Sequence, residues 1–180
     1  MKTIFVFLTT GFEEMEALGT VDILRRAGLE VQTVSLTGNK TVMASHGVPV
    51  VSDTLFEEAR LGNAEMLVIP GGTTAFNDHE GLKKAVKEFY DQGHNVAAIC
   101  ASPIVLGGLG ILNGRRATCY PGFEHYLKGA KLETEKAVIV DGNVITGRGP
   151  GLVIDFALKL VEIVAGKAKR DEVAEKLLVK

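Results

Sequence analysis

The sequence predicts an α/β fold, a flavodoxin-like three-layer sandwich with a mostly parallel sheet, and three observations carry that prediction. Short apolar runs without polar alternation (Ile4–Leu8, Val31–Leu36, Met66–Ile69, Val96–Ile99 and Val144–Thr146) read as strands covered on both faces. Helical patterns separate them, the rhythm of βα units. Two turn-rich stretches interrupt that rhythm as small antiparallel hairpins. The chain has 180 residues, 46% hydrophobic and 23% charged, which suits a single domain over residues 1–180 with a substantial core.

Taken in order, the first helix is expected from Glu14 to Ala27. Met15, Leu18, Val21 and Leu24 recur every three residues along one face, and this amphipathic helix, with the exposed apolar hairpin edges, points to a twofold homodimer. Glu13 and Glu14 suit the positive end of that helix as solvated carboxylates, Arg25 and Arg26 suit the other end, and Gly28 stops it. The first hairpin pairs Thr41–Met43 with Val48–Val51 around Ala44-Ser45-His46-Gly47. After Val96–Ile99 comes Cys100 and then a helix, with Ser102 in the N-cap position and Pro103 at its first turn. The second hairpin pairs Ala137–Val140 with Val144–Thr146 around Asp141-Gly142-Asn143. From Leu152 to Ala165 the pattern is apolar nearly all round, with one polar stripe of Asp155, Lys159 and Glu162, so that helix should be largely buried.

Composition narrows the function classes. Net charge is −2, and the one basic cluster, Lys167-Ala168-Lys169-Arg170, is followed at once by Asp171 and Glu172. Nucleic acid is therefore not an expected partner. No apolar stretch approaches a membrane span, and no membrane partner is expected. The run Ile4–Leu8 after Lys2 is shorter than a secretory core and leads into acidic residues, so a cytoplasmic location is expected. Two cysteines outside any CxxC or zinc-like cluster argue against a disulfide framework or a bound metal. The first loop lacks a GxGxxG or Walker pattern, so no nucleotide cofactor is expected either.

In open α/β sheets, sites form beyond the carboxyl ends of the strands. The segments placed there are Thr9–Glu16, Gly71-Gly72, Cys100-Ala101-Ser102-Pro103, Tyr120-Pro121-Gly122 and Arg148-Gly149-Pro150-Gly151. Cys100, at a strand-to-helix turn, is the candidate nucleophile, because a helix N-terminus favours thiolate and lowers the thiol pKa. Backbone amides just beyond it could hold an oxyanion. Gly71-Gly72 lets backbone approach a ligand, and its strand and that of Cys100 are consecutive, hence neighbours. Glu16, between Met15 and Ala17-Leu18, is placed to point inward as a protonated donor to sulfur, since two like charges cannot both persist in a buried site. No histidine adjoins Cys100; of His46, His79, His94 and His125, the last is the best intramolecular candidate for a base. Cys119 reads as a packed thiol in strand context.

Together these segments resemble the ThiJ/PfpI superfamily, in particular its parkinsonism-protein (DJ-one-like) branch, over nearly the whole chain. The resemblance rests on Gly11-Phe12-Glu13-Glu14-Met15-Glu16, Val21–Gly28, Val68-Ile69-Pro70-Gly71-Gly72, Ala98-Ile99-Cys100-Ala101-Ser102-Pro103 and Gly147-Arg148-Gly149-Pro150-Gly151, in that order. It implies the class I glutamine amidotransferase-like form of the flavodoxin-like sandwich. It also implies Cys100 as elbow nucleophile, Glu16 as its protonated partner, and Gly72 and Ala101 amides as the oxyanion pocket. A homodimer follows from it, as do glyoxalase- or deglycase-like action on small reactive carbonyls, oxidative-stress sensing or chaperoning. Two departures matter. Ala101 stands where the protease-like branch has His, which disfavours peptidase activity. Tyr120 stands where the parkinsonism branch has His, and a phenol with a pKa of about 10 is a poor base at neutral pH. His46 lies where the family faces the partner subunit's pocket, and could replace that His only in a dimer.

Overall fold

The computed structural model describes residues 2–179. Its central sheet runs from Val138–Asp141 (β10) through Val144–Gly147 (β11), Asn95–Ile99 (β7), Ala64–Ile69 (β6), Thr3–Leu8 (β1) and Val31–Ser35 (β2) to Thr54–Leu55 (β5). Every neighbouring pair is parallel except β10–β11. The main strands thus follow the order β2-β1-β6-β7-β11, the doubly wound pattern with its switch point between β1 and β6. Outside this sheet, Thr41–Met43 (β3) and Pro49–Val51 (β4) form an antiparallel pair, and Arg116–Ala117 (β8) pairs with Lys131–Leu132 (β9). The second hairpin closes on two residues: Asp141 pairs with Val144, and Gly142 takes a φ of +61° that a side chain would resist.

Alternate strand residues serve opposite faces, as the period of a strand requires. Phe5, Phe7, Leu67, Ile69, Val96 and Ala98 pack beneath Glu80–Asp91 (α2) and Pro103–Gly108 (α3). Ile4, Val6, Met66, Val68, Ala97 and Ile99 pack beneath Thr20–Arg26 (α1), Val153–Ala165 (α4) and Lys167–Lys176 (α5). The apolar runs lack polar alternation because both faces are covered. α4 is buried along Val153, Phe156, Ala157, Leu160 and Val161, while Lys159 and Glu162 pair on its outer side at 2.7 Å.

The first helix departs from its sequence pattern. Met15–Gly19 winds as a π-helical turn before α1 begins at Thr20. A wider turn advances each residue less around the axis, so the three-residue repeat loses register. Of the repeat, Met15 and Leu18 are 54% and 37% exposed while Val21 and Leu24 are buried; Ala17 and Thr20 are buried too, as is Glu16, which the sequence placed inward. Among the described residues, no helix is long and apolar enough to cross a membrane.

Candidate active site

Strand order alone sets the site's main contributors side by side. β1, β6, β7 and β11 are adjacent, so the segments leaving them bring Glu16, Gly71-Gly72, Cys100 and Arg148 to one sheet edge. Cys100 sits at the turn out of β7 with φ +66°, a left-handed conformation that is strained for a residue with a Cβ. Two backbone bonds hold it there. Its N–H donates to the Gly147 carbonyl at 3.0 Å, and its own carbonyl accepts the Tyr120 N–H at 2.8 Å. The residue is 8% exposed, and backbone N–H groups of Gly72 and Ala101 are directed at its sulfur.

Ser102 occupies the N-cap position of α3, but its hydroxyl makes no cap bond and donates instead to the Pro70 carbonyl. The bond ties the β7 turn to the β6 turn. Gly71 and Gly72 are required there for different reasons. A Cβ on Gly71 would lie 2.5 Å from the Cβ of Cys100 and 2.6 Å from Oε2 of Glu16, so only a bare backbone fits between them. Gly72 has φ +94° and packs against the backbone of residues 11–13.

Glu16 is fully buried. Its Oε2 accepts the Gly71 N–H at 2.7 Å, while Oε1 has no hydrogen-bond partner. Burial pushes this carboxyl up to about 7, against the pull of the Gly71 N–H and the neighbouring Cys100. Burial likewise pushes the Cys100 thiol up to about 12, and the charge of Glu16 adds to that rise, while the Gly72 and Ala101 amides oppose it. The sequence expectation of a thiol lowered by its helix is therefore corrected. Desolvation is the largest cause of that rise. The two groups titrate as a pair, and the pair holds its last proton tightly because it cannot carry two charges. Where the pair keeps one proton, the sulfur has the Gly72 and Ala101 amides beside it and the carboxylate has the Gly71 N–H.

The other two acidic residues of this loop are not the solvated carboxylates that the sequence suggests. Glu13 is buried, and its Oε2 accepts the Glu16 N–H at 2.7 Å, which caps the π-helical turn. Glu14 reaches back to the β3–β4 hairpin, accepting from the His46 N–H at 2.6 Å, from Ser45 Oγ at 2.9 Å and from His46 Nδ1 at 2.9 Å. Although burial opposes it, this set of bonds, led by the His46 side chain, holds Glu14 down to about 2; the same carboxylate raises His46. One ligand atom each from Glu13, Glu14 and His46 lie within 4.8 Å of one another, but those of Glu14 and His46 already satisfy each other. No linear spacing announces this contact, because a hairpin fold-back bridges the 32 positions between them.

The remaining candidates separate. Tyr120 stands beside Cys100 through its N–H bond to the Cys100 carbonyl, with its side chain about half exposed. His125 is exposed and packs on Tyr126 with ring centroids 4.0 Å apart, so the structure does not bring it to the sulfur. Cys119 is buried in an extended segment outside any strand ladder, on the opposite core face from Cys100. Burial and then the charge of Glu124 push its thiol up to about 12. Both cysteines are free.

Comparison with known proteins places this arrangement. Residues 2–163 match the DJ-1/PfpI family. The chain belongs to the DJ-1/PfpI family. It is 37% identical to the Drosophila melanogaster protein dj-1beta over 182 residues, covering 99% of this chain and 97% of that protein. The crystal structure of that DJ-1 protein superposes with a TM-score of 0.95 over 99% of this chain and 98% of the fly chain. The Parkinson disease protein 7 homolog of Danio rerio is 34% identical over 185 residues, spanning 99% of this chain and 98% of the fish protein. An oxidised form of Toxoplasma gondii DJ-1 superposes with a TM-score of 0.93 at 35% identity, covering 99% and 98% of the two chains. The DJ-1/PfpI resemblance drawn from the motifs, and the α/β sandwich it implied, are both shown.

Proposed function

We propose that this DJ-1/PfpI protein is a cysteine-dependent stress-response protein acting on small reactive carbonyls or their adducts, in a glyoxalase- or deglycase-like manner. The observation that carries the reading is the buried Glu16–Cys100 pair beneath the Gly72 and Ala101 amides. In the singly charged pair, the Cys100 thiolate adds to an aldehyde carbon. A carbon–sulfur bond forms, the C=O π pair moves onto oxygen, and that oxygen takes the Glu16 proton, giving a hemithioacetal and a Glu16 carboxylate. The two amides hold the oxygen as its charge develops. Tyr120 and His46 are accessory groups in this reading. Methylglyoxal consumption should fall by at least about a hundredfold in Cys100→Ala, the scale of losing a covalent nucleophile. Equal consumption by wild type and variant would sink the proposal.

A second reading, a redox sensor or chaperone without turnover, draws on the same convergence of donors. Two amides and a protonated Glu16 would also stabilise the oxygens of a Cys100 sulfinate, and the Toxoplasma DJ-1 structure is of an oxidised form. Wild type that consumes no methylglyoxal but accumulates sulfinate at Cys100 under peroxide would favour it.

Assembly is part of the proposal. Met15, Leu18, Met43, Val48, Val51 and Ile154 are all exposed apolar side chains, and Val51 reaches 71%. They lie on the π-helical turn, the β3–β4 hairpin and the start of α4, an unusual concentration for a monomer surface. Family members are commonly homodimers, and covering these side chains by a second copy accounts for them. We place the dimer in the cytoplasm, where both thiols stay reduced. The expected sedimentation mass is twice the 19.2 kDa of one chain. A clean monomer at micromolar concentration would remove both the dimer and any role for His46 across it.

A further inference from the structure

At the same sheet edge, the Cys100–Glu16 chemistry leaves one charged group without a use. Arg148 follows β11, and its backbone N–H is fixed on the Ala137 carbonyl at 3.0 Å. Its guanidinium has no hydrogen-bond or ion-pair partner among the described residues. Five of the other arginines, Arg25, Arg26, Arg115, Arg116 and Arg170, are each ion-paired with a carboxylate. The remaining one, Arg60, lines a groove that contains Asp53 and Glu58. The groove lined by Arg148 holds no acid. It has a volume of about 340 Å³, and its walls are Tyr120, Pro121, Gly149, Pro150 and Leu152.

This groove is joined to the backbone of Cys100 on both sides. Gly147, just before Arg148, accepts the Cys100 N–H, and Tyr120, on the facing wall, donates to the Cys100 carbonyl. A Cβ on Gly149 would come within 3.1 Å of the Tyr120 ring, so glycine lets that ring lie along the wall. The loop that carries Glu16 brings Glu13 and Glu14 to the same edge and repels anions there. A guanidinium in a partly desolvated, otherwise apolar groove is the reverse: it attracts an oxyanion and can hold it with two parallel N–H bonds.

We propose that Arg148, with Tyr120 as the facing wall, forms an anion-binding subsite that selects small carbonyl compounds carrying a carboxylate or phosphate group. The charged end seats in the groove while the carbonyl carbon is presented to Cys100. The carbonyl half of this statement rests on the function proposed above, and the anion half does not.

Cys100 alkylation separates the two halves, because it needs only the thiol. The measurement is the ratio of iodoacetate to iodoacetamide labelling rates at Cys100, read by peptide mass spectrometry and normalised to the ratio for a free thiol. Reading a ratio cancels any change in thiol reactivity that the substitutions cause. The expected ratio exceeds that of the free thiol in wild type, falls about tenfold in Arg148→Gln, the scale of one charge-assisted contact, and is largely retained in Arg148→Lys. A ratio equal in wild type and Arg148→Gln would overturn the subsite, as would a loss of both rates in parallel. In a second arm, consumption of glyoxylate is compared with methylglyoxal, and of glycolaldehyde phosphate with glycolaldehyde. Arg148→Gln should erase the preference for the charged member of whichever pair carries the right anion. A shifted alkylation ratio with no carbonyl consumed by wild type would uphold the anion subsite and remove the carbonyl reading.

Discussion

Glu16→Leu is expected to raise the thiol pKa of Cys100 and to slow its alkylation near neutral pH by about tenfold or more, the loss that follows one unit of thiolate depletion. Glu16→Gln should perturb both only modestly, because the amide still donates to sulfur. The argument follows from the pair. Glu16 is held up to about 7 chiefly by burial, so near neutrality the folded site keeps one proton between carboxyl and thiol. In the reactive form proposed above that proton is on Glu16 and the sulfur bears the charge; Leu then takes away a donor while leaving the site just as desolvated. A second readout tests the same pair without using the thiol. A carboxyl raised above its ordinary value of 4.5 keeps a proton that the unfolded chain has released. Its contribution to stability is therefore full below pH 4.5 and is lost as pH rises through about 7. Urea unfolding across that window should show this loss in wild type and not in Glu16→Gln. Superimposable thiolate titrations for wild type, Gln and Leu would mean that Glu16 does not tune the sulfur.

The largest stability effect is expected at Gly72. A methyl group there would stand 2.4 Å from the Glu13 nitrogen and 2.6 Å from the Gly11 carbonyl oxygen, both backbone atoms that cannot rotate away. Gly28 is the matched control. It has φ +76°, close to the +94° of Gly72, and nothing within 4 Å of an added Cβ. Gly28→Ala should cost about 1 kcal/mol, the ordinary penalty of a left-handed side chain. Gly72→Ala should cost about 3 kcal/mol or more, with overpacking added to the same strain. In melting temperature that is a fall of roughly 6–12 °C for a chain of this size. The loss of fit also separates the loop carrying Glu16 from the sulfur, so thiol reactivity should change with it. Equal stability losses at the two glycines would refute the close approach of residues 11–13 to Gly72.

The sequence by itself determined the sheet, its parallel sense and which segments meet beside the sulfur. These depend on local signals. Runs such as Met66–Ile69 are apolar throughout because both faces are covered, Gly28 and Gly142 mark positive-φ stops, and Cys100 falls where a strand gives way to Ser102-Pro103. Consecutive strands then put Gly72 beside Cys100 with no further information. Tertiary structure decided everything that depends on rotation about an axis or on contacts distant in sequence. A π-helical turn, which no periodicity count distinguishes from α-helix, sent Met15 and Leu18 outward, while Glu16 lies inward as its place between Met15 and Ala17 suggested. The hairpin fold-back paired Glu14 with His46. Burial, a property of the packed molecule that no local signal announces, pushes the Cys100 thiol up, against the lowering expected from its place before α3.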